Sequence, residues 1–319
     1  MKHSSSITLL FLALVVFLQG AAVAQTTAVD GQESAAAIAR PEQDLRMTGR
    51  LFVPRSVTHV RIVIVIVRWG NGPEFYGDEQ VRRLAASMGA ALLLTEFQTT
   101  ADAANNMPRR ADQGGGDGLI QLVQQFARDT THQELTQALY LFWGHSAAGP
   151  FGAGFAALHP ARTIAFIRYH SGPIAGGEVS SMTRVPALFL VGGKDTSTGA
   201  PGGWGQPAVD GAKALWQFGR SGKAPWTFAL DPNADHASKE GLTRANALVV
   251  PWIEAIVRQR LQDDGGRVSE IAARAEWVGN IDNGEVVRAD ATNDTSGSWL
   301  PDEESARVWR ALRGSAPGR

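Results

Sequence analysis

The chain has 319 residues, 44% hydrophobic and 19% charged, the composition of a folded protein long enough to bury a large core. Its net charge of −1, with no dense Lys/Arg stripe, excludes broad electrostatic attraction to nucleic acid or an anionic membrane. It contains no cysteine, which excludes disulfides, thiolate chemistry and lipid attachment through a cysteine.

Residues 1–24 read as a targeting segment and not as part of the fold. Met1-Lys2-His3 is a short basic start, Ile7 to Leu18 is apolar except for Thr8, and Ala22-Val23-Ala24 has the small-x-small pattern of a signal-peptidase site. The apolar run is too short for a spanning helix, which needs about 20 residues. A cleavable signal cut after Ala24 is expected, and with it a secreted or periplasmic protein without a membrane anchor. Residues 25–40, rich in Ala, Gln, Thr and Ser, predict a flexible mature N-terminus.

From residue 41 to 261, strand and helix patterns alternate. His59 to Val67 is a nearly continuous β-branched run, as for a strand covered on both faces. Residues 78–88 have helical spacing, 91–95 form the next strand and 118–128 the next helix. A strand over 139–143 runs into a small-residue helix over 147–158. Strands follow at 164–168, 185–191 and 226–230, with a helix over 209–218 and a last helix over 245–261 interrupted near Pro251. This alternation predicts an α/β fold, a mostly parallel sheet flanked by helices. Residues 262–319 differ. Asp282-Asn283-Gly284 between two apolar pairs signals a tight hairpin, and Pro301-Asp302-Glu303-Glu304 opens a short helix. A C-terminal hairpin-helix appendage packed on the main domain is expected.

In an open α/β sheet, ligands bind beyond the carboxyl ends of the strands. The strand over 139–143 is followed by Gly144-His145-Ser146-Ala147-Ala148-Gly149, where a sharp turn with small neighbours would hold a serine hydroxyl above the sheet. Taken alone, Ser146 reads equally well as a helix cap. The strand over 185–191 leads into Gly192-Gly193-Lys194-Asp195, and that over 226–230 into Asp231-Pro232-Asn233-Ala234-Asp235-His236. Asp235 competes with Asp195 as the acid, but it adjoins His236, and neighbours on an extended segment point apart. His145 reads as a support of the turn. His170, after a strand, is a weaker pocket candidate. No histidine pair has metal-ligand spacing, so neither metal nor cofactor is expected. Asp112 to Gly118 lacks the Gly-Lys-Ser/Thr ending of a phosphate loop and reads as a flexible loop.

The order Ser146, Asp195, His236, each just past a strand, resembles the α/β-hydrolase fold over about residues 45–260. The resemblance implies Ser146 as nucleophile, His236 as general base and Asp195 as the acid that orients it. It implies an oxyanion hole from the N–H of Ala147 and that of Asn71, in the loop Arg68-Trp69-Gly70-Asn71-Gly72. Two departures stand out. The usual elbow is Gly-x-Ser-x-Gly, and here Ala148 takes the last place. Trp69 stands where relatives often carry His. Trp69, Phe75, Tyr76 and Trp204 read equally well as an aromatic wall around a substrate or as core filling. The implied activity is an exported serine hydrolase acting on small or polymeric carboxylic esters, loosely similar to feruloyl-esterase and polyhydroxyalkanoate-depolymerase types. A peptidase on the same scaffold and a non-catalytic glycan- or ligand-binding module are the alternatives.

Overall fold

The computed structural model describes residues 28–99, 110–171, 179–196, 205–261, 268–271, 276–289, 295 and 297–314. The signal segment and Trp204 lie outside them. In chain order the strands are β1 Gly31–Arg40, β2 Leu45–Pro54, β3 Ile62–Val67, β4 Ala90–Gln98, β5 Leu139–His145, β6 Thr163–Tyr169, β7 Ala187–Gly192 and β8 Trp226–Asp231. Between them lie α1 Gly72–Gly77, α2 Glu79–Met88, α3 Gly115–Asp129, α4 Gly149–Leu158, α5 Val179–Met182 and α6 Gly205–Ser221, with α7 Lys239–Arg260 after β8. These eight strands form one sheet in the order β1-β2-β4-β3-β5-β6-β7-β8. β2 is antiparallel to both β1 and β4, and from β4 through β3 to β8 the pairs are parallel.

The alternation in β3, Ile-Val-Ile-Val-Ile-Val, divides the core into two layers. Its isoleucines face one side with Leu84, Leu248 and Trp252 of the helices α2 and α7. Its valines face the other with Leu122, Phe155 and Trp216 of α3, α4 and α6. Both faces are covered, which is why a strand of this kind reads as a continuous apolar run.

Four expectations are corrected. Residues 31–40 are not flexible but form β1, paired with β2 from Gly31↔Pro54 to Arg40↔Leu45. Alanines fall on both of its faces, so its alternation carries little hydrophobic contrast, and the partner strand supplies the order. Gly115 to Gly118 form the first turn of α3 and not a loop. A Cβ on Gly118 would sit 3.1 Å from Leu45 Cδ2, so the glycines let this helix press on β2. The last helix runs unbroken through Pro251 from its Ser238 cap, whose hydroxyl accepts from Gly241 N–H at 3.0 Å. Dense packing, with Trp252 and Ile253 fully buried, outweighs the cost of about 3 kcal/mol for an interior proline.

The fourth concerns the C-terminal segment. The hairpin is present as β9 Trp277–Gly279 and β10 Val286–Arg288, but a further strand, β11 Ser298–Leu300, pairs with the other side of β9. The helix α8 Glu303–Gly314 follows. This segment caps the β8 edge of the main sheet. Ser298 Oγ accepts from Phe228 N–H at 3.0 Å and donates to Phe228 C=O at 2.7 Å, and Trp309 Nε1–H donates to the same carbonyl at 2.7 Å. Trp299 and Trp309 are buried in the main core. No helix among the described residues is long and apolar enough to cross a membrane.

Candidate active site

β5 ends in His145 with extended backbone (φ −93°), and Ser146 then turns to φ 54° before the helical turns of 146–158 begin. A left-handed conformation in a residue with a side chain is strained by about 1–3 kcal/mol and persists only where its surroundings impose it. Glycines create the clearance. A Cβ on Gly144 would lie 2.6 Å from Ala148 C=O oxygen, and one on Gly149 would lie 2.3 Å from Ser171 Oγ. Here the glycine requirement falls at 149, while Ala148 is accommodated in the core at 1% exposure.

Ser146 Oγ lies 3.0 Å from His236 Nε2, and His236 Nδ1 lies 3.3 Å from Asp195 Oδ1. Three strand ends thus bring the three predicted residues together. The loops carrying Asp195 and His236 are pressed against one another. Lys194 N–H donates to Ala234 C=O at 2.9 Å, and Cβ atoms on Gly192 and Gly193 would clash with Ala234 and Pro232 backbone. The His236 loop is further fixed by Asp231, whose Oδ1 accepts from Asn233 N–H and whose Oδ2 pairs with Arg244 Nε at 2.8 Å. Asp235 is engaged elsewhere. Its carboxylate accepts from Ser238 N–H at 2.7 Å and Ala237 N–H at 3.3 Å, closing the turn ahead of α7.

Asp195 is 4% exposed. Burial works to raise its carboxyl, but the hydrogen bond with His170 and the nearby His236 ring outweigh that and hold it below the usual carboxylate range. His170, by sequence only a weaker pocket candidate, lies against this carboxylate. Its Nδ1 lies 2.5 Å from Asp195 Oδ2, and the ring is fully buried. The available signal was its position directly after β6, the same placement that marked the other three. His170, Asp195 and His236 each offer one N or O atom within 4.8 Å of the others. Asp195 stands between the two rings, 2.5 Å from His170 and 3.3 Å from His236.

The expected oxyanion donors fare differently. Ala147 follows Ser146 in the turn and is partly exposed beside it. Asn71 is corrected: its N–H donates to His145 Nδ1 at 2.8 Å, and its side chain donates to Ala237 C=O at 3.2 Å. It is a brace between loops. Gly70, at φ 52°, makes room for the same ring, since a Cβ there would lie 2.0 Å from His145 Nδ1. His145 is buried, which lowers its imidazole to about 3, with His170 and His236 acting in the same direction.

The aromatic wall is corrected in part. Tyr76 is buried at 3% exposure beneath the guanidinium groups of Arg50 and Arg82, and Phe75 stacks on Trp143 at 4.4 Å in the core. Neither offers a face to a ligand. Trp69 is half-buried on the loop that braces His145.

No protein-family model matches the chain, and no curated protein matches its sequence. Solved structures do share its architecture. A ferulic acid esterase aligns at TM-score 0.52 and 11% identity, over 72% of this chain and 99% of that one. The acylaminoacyl peptidase of Pyrococcus horikoshii aligns at TM-score 0.52 and 12% identity, over 74% of this chain and 43% of that one. The dienelactone hydrolase of Anabaena variabilis aligns at TM-score 0.45 and 20% identity, over 70% and 97%. For the first two, at these identities, the likeness is one of fold.

Proposed function

We propose that this chain, which has the α/β-hydrolase fold, is an exported serine hydrolase that cleaves carboxylic esters through an acyl-enzyme intermediate. The observation that carries the reading is the run of contacts from Ser146 Oγ through His236 to Asp195, at 3.0 and 3.3 Å, ending on a serine held at φ 54°. A surface serine has no reason to sit in a strained turn against a carboxylate-backed imidazole. One that must attack a carbonyl does.

In this reading His236 Nε2 takes the Ser146 proton as Oγ bonds to the ester carbonyl carbon. Asp195 holds the opposite nitrogen and stabilises the imidazolium. Ala147 N–H faces the developing oxyanion at the start of a helix, where the dipole favours negative charge. His236 then returns the proton to the leaving alcohol. A water molecule, deprotonated by the same nitrogen, releases the acid and restores Ser146. Trp69 borders the acyl group. The Ala22-Val23-Ala24 pattern supports export, and substrates met outside the cytoplasm. The ferulic acid esterase of the same fold supports trying aryl esters first.

A fluorophosphonate probe tests the reaction class. The wild type is expected to label at Ser146 and to hydrolyse p-nitrophenyl and feruloyl esters, while folded Ser146→Ala does neither. An unlabelled, folded wild type would sink the serine-hydrolase reading. Turnover of acylated peptides in preference to esters would move the substrate class to peptides.

A further inference from the structure

We propose that His170 is a positioning residue for this site: its Nδ1–H grips Asp195 Oδ2, so that the carboxylate presents Oδ1 to His236. The inference rests on the triad reading, and it concerns a group that never touches the substrate.

The fold commits several independent features to seating this one ring. His170 is at φ 48°, one of four non-glycine residues with positive φ among those described, and Ser146 is another. Backbone strain of this kind persists where the surroundings fix it, and it concentrates at functional sites. His170 N–H donates to Leu190 C=O at 2.7 Å, so the turn starts on the last rung between β6 and β7. Gly192 supplies the cavity, since a Cβ there would lie 2.6 Å from His170 Cε1. The Tyr169 ring packs edge-on at 4.1 Å.

The chemistry of the carboxylate explains the need. Asp195 has two oxygens, and His236 can use one. A buried carboxylate whose second oxygen lacks a donor is costly and free to turn or take a proton. His170 fills that oxygen from inside the protein, at 2.5 Å, while His236 approaches from the exposed side with 45% of its side chain accessible. His145 lies 5.8 Å from the His170 ring and 4.9 Å from that of His236. Asp231 is paired with Arg244, Asp235 caps the following turn, and Arg168 donates to Ser171 Oγ at 3.1 Å. Among the described residues, Asp195 is the carboxylate in contact with His170.

Removing the His170 donor leaves the Asp195 charge less dispersed, so protonated His236 gains. The test is an NMR titration of His236 in a Ser146→Ala background, which reads the coupling whether or not the protein hydrolyses esters. His170→Phe is expected to raise the His236 midpoint by about one pH unit, the scale of one hydrogen bond to a charged group. His170→Asn, whose side-chain N–H can take the place of Nδ1–H, is expected to restore it. With Ser146 present, kcat in His170→Phe is expected to fall about 10–100-fold, the loss seen when outer-shell partners of metal-bound histidines are removed. The acid limb of its profile should move with the midpoint. An unchanged or lowered His236 midpoint in folded His170→Phe overturns the proposal. If that variant does not fold, the wild-type imidazole nitrogens decide. His170 protonated at Nδ1 supports the proposal, and His170 protonated only at Nε2 overturns it. Failure of fluorophosphonate labelling in the wild type would defeat the hydrolase reading and leave these NMR outcomes standing.

Discussion

His145 joins the serine turn to the loop over 68–72, and its protonation state is part of the fold. Buried at 1% exposure, it accepts from Asn71 N–H through Nδ1 and must stay neutral to do so. Its folded value of about 3 lies far below the value near 6.5 of an unfolded chain. Between those limits the unfolded chain binds the extra proton. Stability from this residue is complete above about pH 6.5 and falls by about 1.4 kcal/mol per unit as pH drops toward about 3. His145→Asn keeps an acceptor for Asn71 without a titrating ring. Urea unfolding is expected to give a flatter pH dependence for that variant between pH 6.5 and 4. Parallel curves for variant and wild type would show that His145 is not the source of this dependence. Asn71 teaches the same lesson from the other side. Its place in the oxyanion loop was legible by resemblance, but the partner of its N–H depends on a ring 74 residues away.

At the scale of elements, the turn between β5 and α4 is the part of the site most dependent on missing side chains. Gly144→Ala would put a methyl 2.6 Å from Ala148 C=O oxygen and 2.8 Å from Gly149 Cα, both backbone atoms that cannot swing aside. It is expected to cost about 1–3 kcal/mol of stability, the range for overpacking. Labelling of Ser146 by fluorophosphonate should slow about 100-fold, since a displacement near 1 Å is enough for that. Normal labelling with normal stability would mean that the turn tolerates the methyl. The sequence announced this element well, because small residues around a serine after an apolar run admit few structures. It announced β1 badly. Residues 34–40 alternate Ser, Ala, Ile and Arg with alanines, and the strand exists through its ladder to β2 and pairs such as Arg50–Glu33 at 2.5 Å. Local pattern carries little information where both faces are small.

Across the whole molecule, the C-terminal segment protects the sheet edge that leads to His236. β8 is the last strand, and its outward N–H and C=O at Phe228 would otherwise offer a template for association. Ser298 and Trp309 occupy them, and Arg220 reaches back to Gly297 C=O at 2.9 Å. Trp309→Ala removes a fully buried ring together with one of these bonds. It is expected to lower unfolding free energy in urea by about 3–5 kcal/mol. A loss below about 1 kcal/mol would make the segment a passive attachment.

The sequence by itself determined the alternating architecture, the two-faced β3, and the three strand ends that bear Ser146, Asp195 and His236. These depend on local periodicity and on which residue follows a strand. Tertiary structure alone decided that His170 binds Asp195, that Asn71 is committed to His145, that Tyr76 is core, and that β1 and β11 are strands. Each of these is a choice of partner across 25 or more residues of chain, or a ladder between separate segments. No pattern in one segment specifies which distant group will meet it; packing and burial make that choice.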